Sequence, residues 1–225
     1  MNPCNTNDKI WDYYQNQAPE VFALSQPRFD AIIKRIARKA RAQSPAVLNI
    51  GVGNGYLETK MQRLGWRVYA LDPDAKSIAR LREQQIDAQQ GYIESLPFSE
   101  RMFDFVVASE VLEHLSAEQG CLGVAEIARV LKPNNGWFLG TVPYNEDLLG
   151  NQAVCPKCGE VFHRWGHQRT FDLATMRSEL SPHFHHLEIK RTAFVALRGR
   201  SLVGKLSGLM RKLLASRGVQ VAIPS

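Results

Sequence analysis

Three groups of residues in this 225-residue chain have the types and spacing to do chemistry. The first is Cys155-Pro156-Lys157-Cys158-Gly159 with His163 and His167 close behind, a C-x2-C-x4-H-x3-H spacing. Thiolates and imidazoles so spaced are donors for a tetrahedral zinc ion, and four protein ligands leave no position for water, so that ion would be structural. A redox pair fits less well, because no strand-to-helix junction flanks the cysteines. The second group is Asn49-Ile50-Gly51-Val52-Gly53-Asn54-Gly55, with Asp72 placed 17 residues after the last glycine. Glycines let the backbone approach a ligand closely, and a carboxylate at the end of the next strand can accept both hydroxyls of a ribose. The dinucleotide fingerprint needs a third glycine where this chain has Tyr56, which turns the pattern from NAD toward another adenosine-containing ligand. The third is His114, in Glu113-His114-Leu115, and with it His167, two imidazoles suited to act as general base toward a hydroxyl, His114 being the one expected at the catalytic edge.

These residues need a scaffold, and the hydrophobic pattern supplies one. Ile10 to Ala42 reads as helix, with Phe29, Ile32, Ile33, Ile36 and Ala37 at helical spacing. Ala46–Ile50 is a short apolar run of the kind found in buried parallel strands. The glycine turn follows, then a helix from Tyr56 to Leu64 and a strand from Trp66 to Asp72. Pro73-Asp74 opens a helix running to about Gln84. Strands are expected at Ile86–Gly91, Phe103–Ala108 and Trp137–Val142, with a helix over Ala117–Leu131. This alternation predicts a parallel sheet with helices on both faces. After Pro143 the order breaks. Asn145 to Arg169 reads as an irregular insertion, followed by a helix at Leu173–Leu180, a strand at His186–Leu197, a helix at Ser201–Ala215 and a final edge strand at Val219–Ile223.

Four segments carry a family resemblance. VLNIGVGNGYLETKM resembles motif I of class I methyltransferases that use S-adenosylmethionine (SAM), and LDPD resembles their second-strand acidic motif. GYIESLPFSERMFDFVVASEVLEHL and ARVLKPNNGWFLGTVP resemble their fourth- and fifth-strand blocks. The resemblance spans Val47 to Pro143 and implies an α/β, Rossmann-like fold with a mostly parallel seven-stranded sheet. It implies that Gly51, Gly53 and Gly55 line the methionine and ribose of SAM and that Asp72 holds the ribose. Pro73 would pack near the adenine, Ile93 would offer its backbone N–H to the ring, and Ser109 and Glu110 would face the methionine end. Asn49 stands where the family carries an acidic residue, so the partner of the SAM amino group is a neutral amide here. Tyr92 replaces an acidic adenine contact and could stack on the ring. The same resemblance puts Tyr13 or Tyr14 in a lid, Arg28 at the cofactor carboxylate, and Tyr144 and Asn145 in the acceptor pocket. His167-x-Arg-x-Phe171 matches a segment that shapes that pocket, a role that competes with zinc ligation. The implied activity is methyl transfer to an oxygen, less readily a nitrogen, of a small-molecule, saccharide or lipid-linked acceptor. An NAD-dependent oxidoreductase and a non-catalytic adapter that binds a partner through the Cys/His loop are the alternatives.

Composition bounds the rest. The chain is 44% hydrophobic and 22% charged, an ordinary globular balance. It reads as a single domain: a helical lid over 1–45, a cofactor core over 46–143, the Cys/His insertion over 144–170 and C-terminal elements over 171–225. No apolar run approaches the roughly 20 residues that span a bilayer, and the polar N-terminus points to the cytoplasm. The net charge of +6 is concentrated between Lys190 and Arg217, which holds eight basic residues and no acidic one. Ser201–Ala215 is amphipathic as well as basic, a pattern compatible with peripheral contact to an anionic membrane. Nucleic acid is disfavoured, because no aromatic platform accompanies the charge.

Overall fold

The computed structural model describes residues 7–194 and 219–224. The expected amphipathic helix at Ser201–Ala215 lies outside them, as do Cys4 and the end of the strand expected at His186–Leu197.

The N-terminal region is three pieces rather than one helix: α1 (Asn7–Asn16), a 3-10 segment (Pro19–Ser25) and α2 (Gln26–Lys39). Proline explains the break. Pro19 donates no backbone hydrogen bond and pushes Ala18 out of the helical region, to φ −130° and ψ 49°. Pro27 sits within the first turn of α2, where a missing N–H costs nothing. The α2 face carrying Phe29, Ile32, Ile33 and Ile36 is buried against the sheet.

The core alternates as expected through β1 (Ala46–Ile50), α3 (Tyr56–Arg63), β2 (Arg67–Asp72), α4 (Ala75–Glu83), β3 (Asp87–Gln90), β4 (Phe105–Ser109), α5 (Ala117–Val130) and β5 (Trp137–Val142). Caps set the helix starts: Asp74 accepts from the Ser77 N–H at α4, and Ser116 forms a capping box with Gln119 at α5. After β5 come a short hairpin of β6 (Gln152–Val154) and β7 (Val161–His163), then α6 (Leu173–Leu180), β8 (Glu188–Arg191) and β9 (Val219–Pro224). The insertion is therefore ordered into a hairpin where an irregular loop was expected.

The main sheet has seven strands in the order β3-β2-β1-β4-β5-β9-β8. The first five pair in parallel, and β9 is antiparallel to both of its neighbours. The sequence reading put the last strand at the edge. Instead β9 fills the gap between β5 and β8, where both of its backbone rows are bonded, and β8 becomes the edge. Two apolar layers sandwich the sheet. One includes Leu48, Phe103, Val106, Ile127 and Phe138, and the other Val47, Leu57, Met61, Leu81 and Phe105. Burial of each large side chain contributes about 2 kcal/mol. Among the described residues no helix is long and apolar enough to cross a membrane.

The register fixes where chemistry can happen. Ile50 pairs with Leu71 and Ala108, and Ser109 with Thr141, so β1, β2, β4 and β5 end at one level. The loops leaving those carboxyl ends form a single crevice edge, the usual ligand position in open parallel sheets.

Candidate active site

The glycine turn leaves β1 as a left-handed corner, with φ of 82°, 56° and 79° at Gly51, Gly53 and Gly55. A side chain at Gly51 or Gly53 would be strained and would also meet Val111 at 2.8 Å or the Phe22 ring at 3.0 Å. Asp72 closes the other side. Its Oδ2 accepts the Val52 N–H at 2.7 Å and its Oδ1 the Asp74 N–H at 2.8 Å. Burial raises its pKa above the ordinary carboxylate range, against the pull of those backbone N–H groups. The turn and the acidic strand end, 17 residues apart in sequence, thus form one surface.

The N-terminal segment reaches that surface through Gln15 and Phe22. Gln15 donates from Nε2 to Asp72 Oδ2 at 3.2 Å, and its Oε1 accepts from Ser77 Oγ at 2.9 Å. Phe22 lies on Gly53. Tyr13 is half exposed, while Tyr14 packs on Trp11 and on Trp165 from the insertion. Around the crevice, Ile93 is buried against Gly123, and Pro73 and Tyr92 are exposed. Ser109 and Glu110 share Thr141: Ser109 Oγ lies 2.9 Å from Thr141 Oγ1, which donates to Glu110 Oε1 at 2.9 Å. Glu110 has a left-handed φ of 58° and pairs with Arg28 at 3.5 Å, so Arg28 does stand at this end of the crevice.

Asn49 is buried at the end of β1, and its amide points away from solvent. Its Nδ2 donates to Gly51 O at 3.0 Å and to Glu58 Oε1 at 2.5 Å. Glu58 is completely buried in the first turn of α3, and burial raises its pKa to about 7. Asn49 Oδ1 and Glu58 Oε2 are both buried without a hydrogen-bond partner.

Past the ends of β4 and β5 lies a second cluster, built from distant parts of the chain. His114 Nδ1 lies 3.3 Å from Gly166 O, which assigns the proton to Nδ1 and leaves the buried Nε2 as a bare acceptor. Burial pushes its pKa down to about 3, with His167 and His163 adding to the effect. The His114 ring packs edge-on against Trp11 at 4.7 Å and against His167 at 4.6 Å. His167 Nδ1 bonds to Glu146 Oε2, and His163 Nε2 lies 3.5 Å from Glu146 Oε1. His163 Nδ1 in turn accepts the His167 backbone N–H at 3.1 Å. Glu113 is fully buried with no partner on either carboxylate oxygen. Burial and the nearby Glu110 raise its pKa well above the ordinary value. The Glu113 carbonyl holds the backbone N–H groups of Gln168 and Arg169, while Arg169 Nη2 donates to Leu112 O at 3.0 Å and pairs with Glu179. Phe171 is in the core. The His-x-Arg-x-Phe segment is thereby pinned against the loop that carries His114. Tyr144 bridges to Phe171 beneath Arg191, and Asn145 is exposed at a left-handed φ of 47°.

The four proposed zinc ligands do not converge. Cys155 and Cys158 form the tip of the β6–β7 hairpin, where Cys155 N–H reaches Glu160 O and Gly159 N–H returns to Cys155 O, both at 2.8 Å. His163 pairs with Gln152 at the hairpin's base, three residues from Cys155 and so about 10 Å down the strand. Among the described residues, ligand atoms of three or more His, Cys, Asp or Glu come within 4.8 Å in two overlapping groups, Glu113–His114–His167 and Glu146–His163–His167. Neither includes a cysteine. The C-x2-C-x4-H-x3-H spacing misled because the strand β7 separates its two halves.

Sequence reasoning missed Gln15, Glu58, Glu146 and Trp165. Only Glu58 left a trace, as an acidic residue at helical spacing between Leu57 and Met61 on a buried face.

The methyltransferase domain family matches residues 48–139, the stretch that builds the glycine turn, Asp72 and the β4 and β5 ends. The ubiquinone biosynthesis O-methyltransferase of Xanthomonas campestris is 32% identical over 142 residues, covering 60% of this chain and 56% of the relative. The demethylmenaquinone methyltransferase of Chlorobaculum tepidum is 34% identical over 136 residues, covering 57% and 53%. The chain thus spans little more than half the length of these curated relatives. Two solved structures share the fold over nearly the whole of this chain. The complex of the Haloferax volcanii Trm112 methyltransferase activator with a methyltransferase superposes at a TM-score of 0.71 and 17% identity, covering 98% of this chain and 99% of that one. The Haemonchus contortus phosphoethanolamine N-methyltransferase 2, solved with SAM, superposes at 0.67 and 16% identity, covering 99% and 60%. Residues 48–139 thus match the methyltransferase domain family, and the chain has the Rossmann-like α/β fold of the solved SAM-dependent methyltransferases.

Proposed function

We propose that this chain transfers the methyl group of SAM to an oxygen of a small acceptor, of the phenolic or lipid-linked kind suggested by the relatives' names. The observation that carries the reading is Asp72, whose carboxylate ends β2 facing the left-handed glycine turn. That surface fits an adenosyl ligand: a side chain at Gly51 or Gly53 would fill it, and Asp72 offers acceptors to vicinal hydroxyls. When bound, SAM supplies an electrophilic methyl on a sulfonium.

The protein's own part is alignment, exclusion of water and removal of a proton. Asp72 and the glycine turn anchor the cofactor. Trp11, Tyr14 and Trp165 give the crevice an aromatic wall beside His114. Of the two imidazoles there, His167 is the better base. Its Nδ1 is hydrogen-bonded to Glu146, which fixes the ring and leaves Nε2 as the nitrogen that accepts a proton. His114 has its Nε2 lone pair free, but a pKa near 3 gives it little driving force to accept a proton at neutral pH. Its role is to pack against His167 and Trp11. The scheme does not use the C-x2-C-x4-H-x3-H zinc set, because Cys155 and Cys158 lie at the hairpin tip away from His163 and His167.

Calorimetry with SAM, S-adenosylhomocysteine and NAD, followed by a tritiated-methyl transfer assay on phenolic acceptors, tests the reading. Saturable binding of the first two without NAD binding supports it. Saturable NAD binding alone would replace it with a dehydrogenase. Tight S-adenosylhomocysteine binding without transfer to any acceptor would favour a non-catalytic adapter.

A further inference from the structure

We propose that Glu58 is the anionic partner of the cofactor's amino group, acting through Asn49 as a positioning residue, so that the charge missing from the end of β1 is supplied from α3. This rests on the reading of the crevice as a SAM site.

The argument starts from two buried atoms without partners. The Asn49 amide is oriented beyond ambiguity: both groups facing its nitrogen, Gly51 O and Glu58 Oε1, are acceptors, so Nδ2 must point at them and Oδ1 must point away. Oδ1 is then a buried acceptor without a donor, at the strand end from which the glycine turn departs. Behind it, Glu58 has one oxygen on Asn49 and the other unpartnered, in a position with no solvent exposure. A buried acceptor or carboxylate without a partner is costly. A cation arriving at the turn relieves the first cost, since its N–H donates to Asn49 Oδ1, and offsets the second by charge, since the Glu58 carboxylate attracts it through the polarised amide.

The charged and titratable groups facing Glu58 come from two elements. Asp72, on β2, repels its charge, and Arg80, on α4, attracts it. The Nη atoms of Arg80 are engaged by Gly53 O, Ser77 and Asn16. With Glu58 half-ionised near pH 7, arrival of an ammonium and a sulfonium shifts it to the carboxylate, and cofactor binding releases a proton.

The test is a charge swap read by calorimetry with two ligands, S-adenosylhomocysteine and its analogue lacking the α-amino group. Glu58→Gln, which preserves the acceptor facing Asn49 Nδ2, should weaken S-adenosylhomocysteine binding about tenfold and leave the analogue's affinity unchanged. Returning the charge to the strand in the Asn49→Asp, Glu58→Gln double variant should restore affinity to within about threefold. Wild-type affinity should rise between pH 6 and 8, and the Glu58→Gln profile should be flatter. Thermal melts check that each variant is folded. Equal weakening of both ligands in Glu58→Gln, or no weakening of either, overturns the charge role while leaving the cofactor reading intact. Wild-type protein that binds neither SAM nor S-adenosylhomocysteine overturns the cofactor reading and this inference with it.

Discussion

The two ends of the crevice are built on different plans. At the cofactor end, the turn from Asn49 to Gly55, Asp72 and Glu58 come from a stretch of two dozen residues, and backbone register alone brings them together. At the acceptor end, Trp11, His114, Glu146, His163, Trp165 and His167 come from four separate segments and meet only because the insertion folds back onto the loop after β4. Local construction makes the first end rigid and readable. Long-range construction makes the second end free to vary, because its walls come from four segments that can change separately.

The sharpest way to break this contrast is to remove the proposed base. His167→Ala should lower turnover about a thousandfold, the range for loss of a general base, with cofactor affinity unchanged by calorimetry. Glu146→Gln should lower turnover less, since the imidazole stays in place. If His167→Ala instead abolishes cofactor binding, the two ends are not separable.

Glu58 probes the other end through stability. Its folded pKa of about 7 lies above its unfolded value near 4.5. Below pH 4.5 it is protonated in both states and costs nothing. As pH rises to 7 the unfolded chain ionises first, so wild-type stability falls across that window. Glu58→Gln should therefore be more stable above pH 7, by about 3 kcal/mol, and equal to wild type at pH 4. Paired melts at the two pH values check this. A smaller effect is expected of Asp72→Asn, which should weaken SAM binding about thirtyfold, roughly 2 kcal/mol for loss of charge-assisted hydrogen bonds. The smallest effect tests the hairpin. Changing Cys155 and Cys158 together to Ser should alter stability by under about 0.5 kcal/mol and leave bound zinc unchanged in elemental analysis. A large loss of either would mean that the cysteines hold an ion after all.

The same contrast explains what the sequence disclosed. The parallel core was legible because alternating apolar runs and turns are local signals, and Gly51 to Asp72 carries its own spacing rule. Helix α6 was located to the residue. The single long N-terminal helix was a misreading in which the periodicity of α2 outweighed Pro19. Strand β9 was recognised but put at the edge, since neither composition nor periodicity tells which neighbour a strand takes. The four expected zinc ligands do not meet among the described residues, because ligand spacing says nothing about the direction of an intervening strand. Glu146 was invisible: a lone acidic residue in a polar loop acquires meaning only when His167, 21 residues away, is laid against it.

Gln15 adds a kinetic dimension. Its amide already donates to Asp72 Oδ2, which also accepts the Val52 N–H, so a ligand hydroxyl aimed at that oxygen enters by exchange with Gln15. Oδ1 holds only the Asp74 N–H and takes a second donor by addition. The first hydroxyl to arrive is therefore bound at Oδ1 at no cost in existing bonds, and the second waits on movement of the Gln15 side chain. Gln15→Ala should remove that wait and speed association.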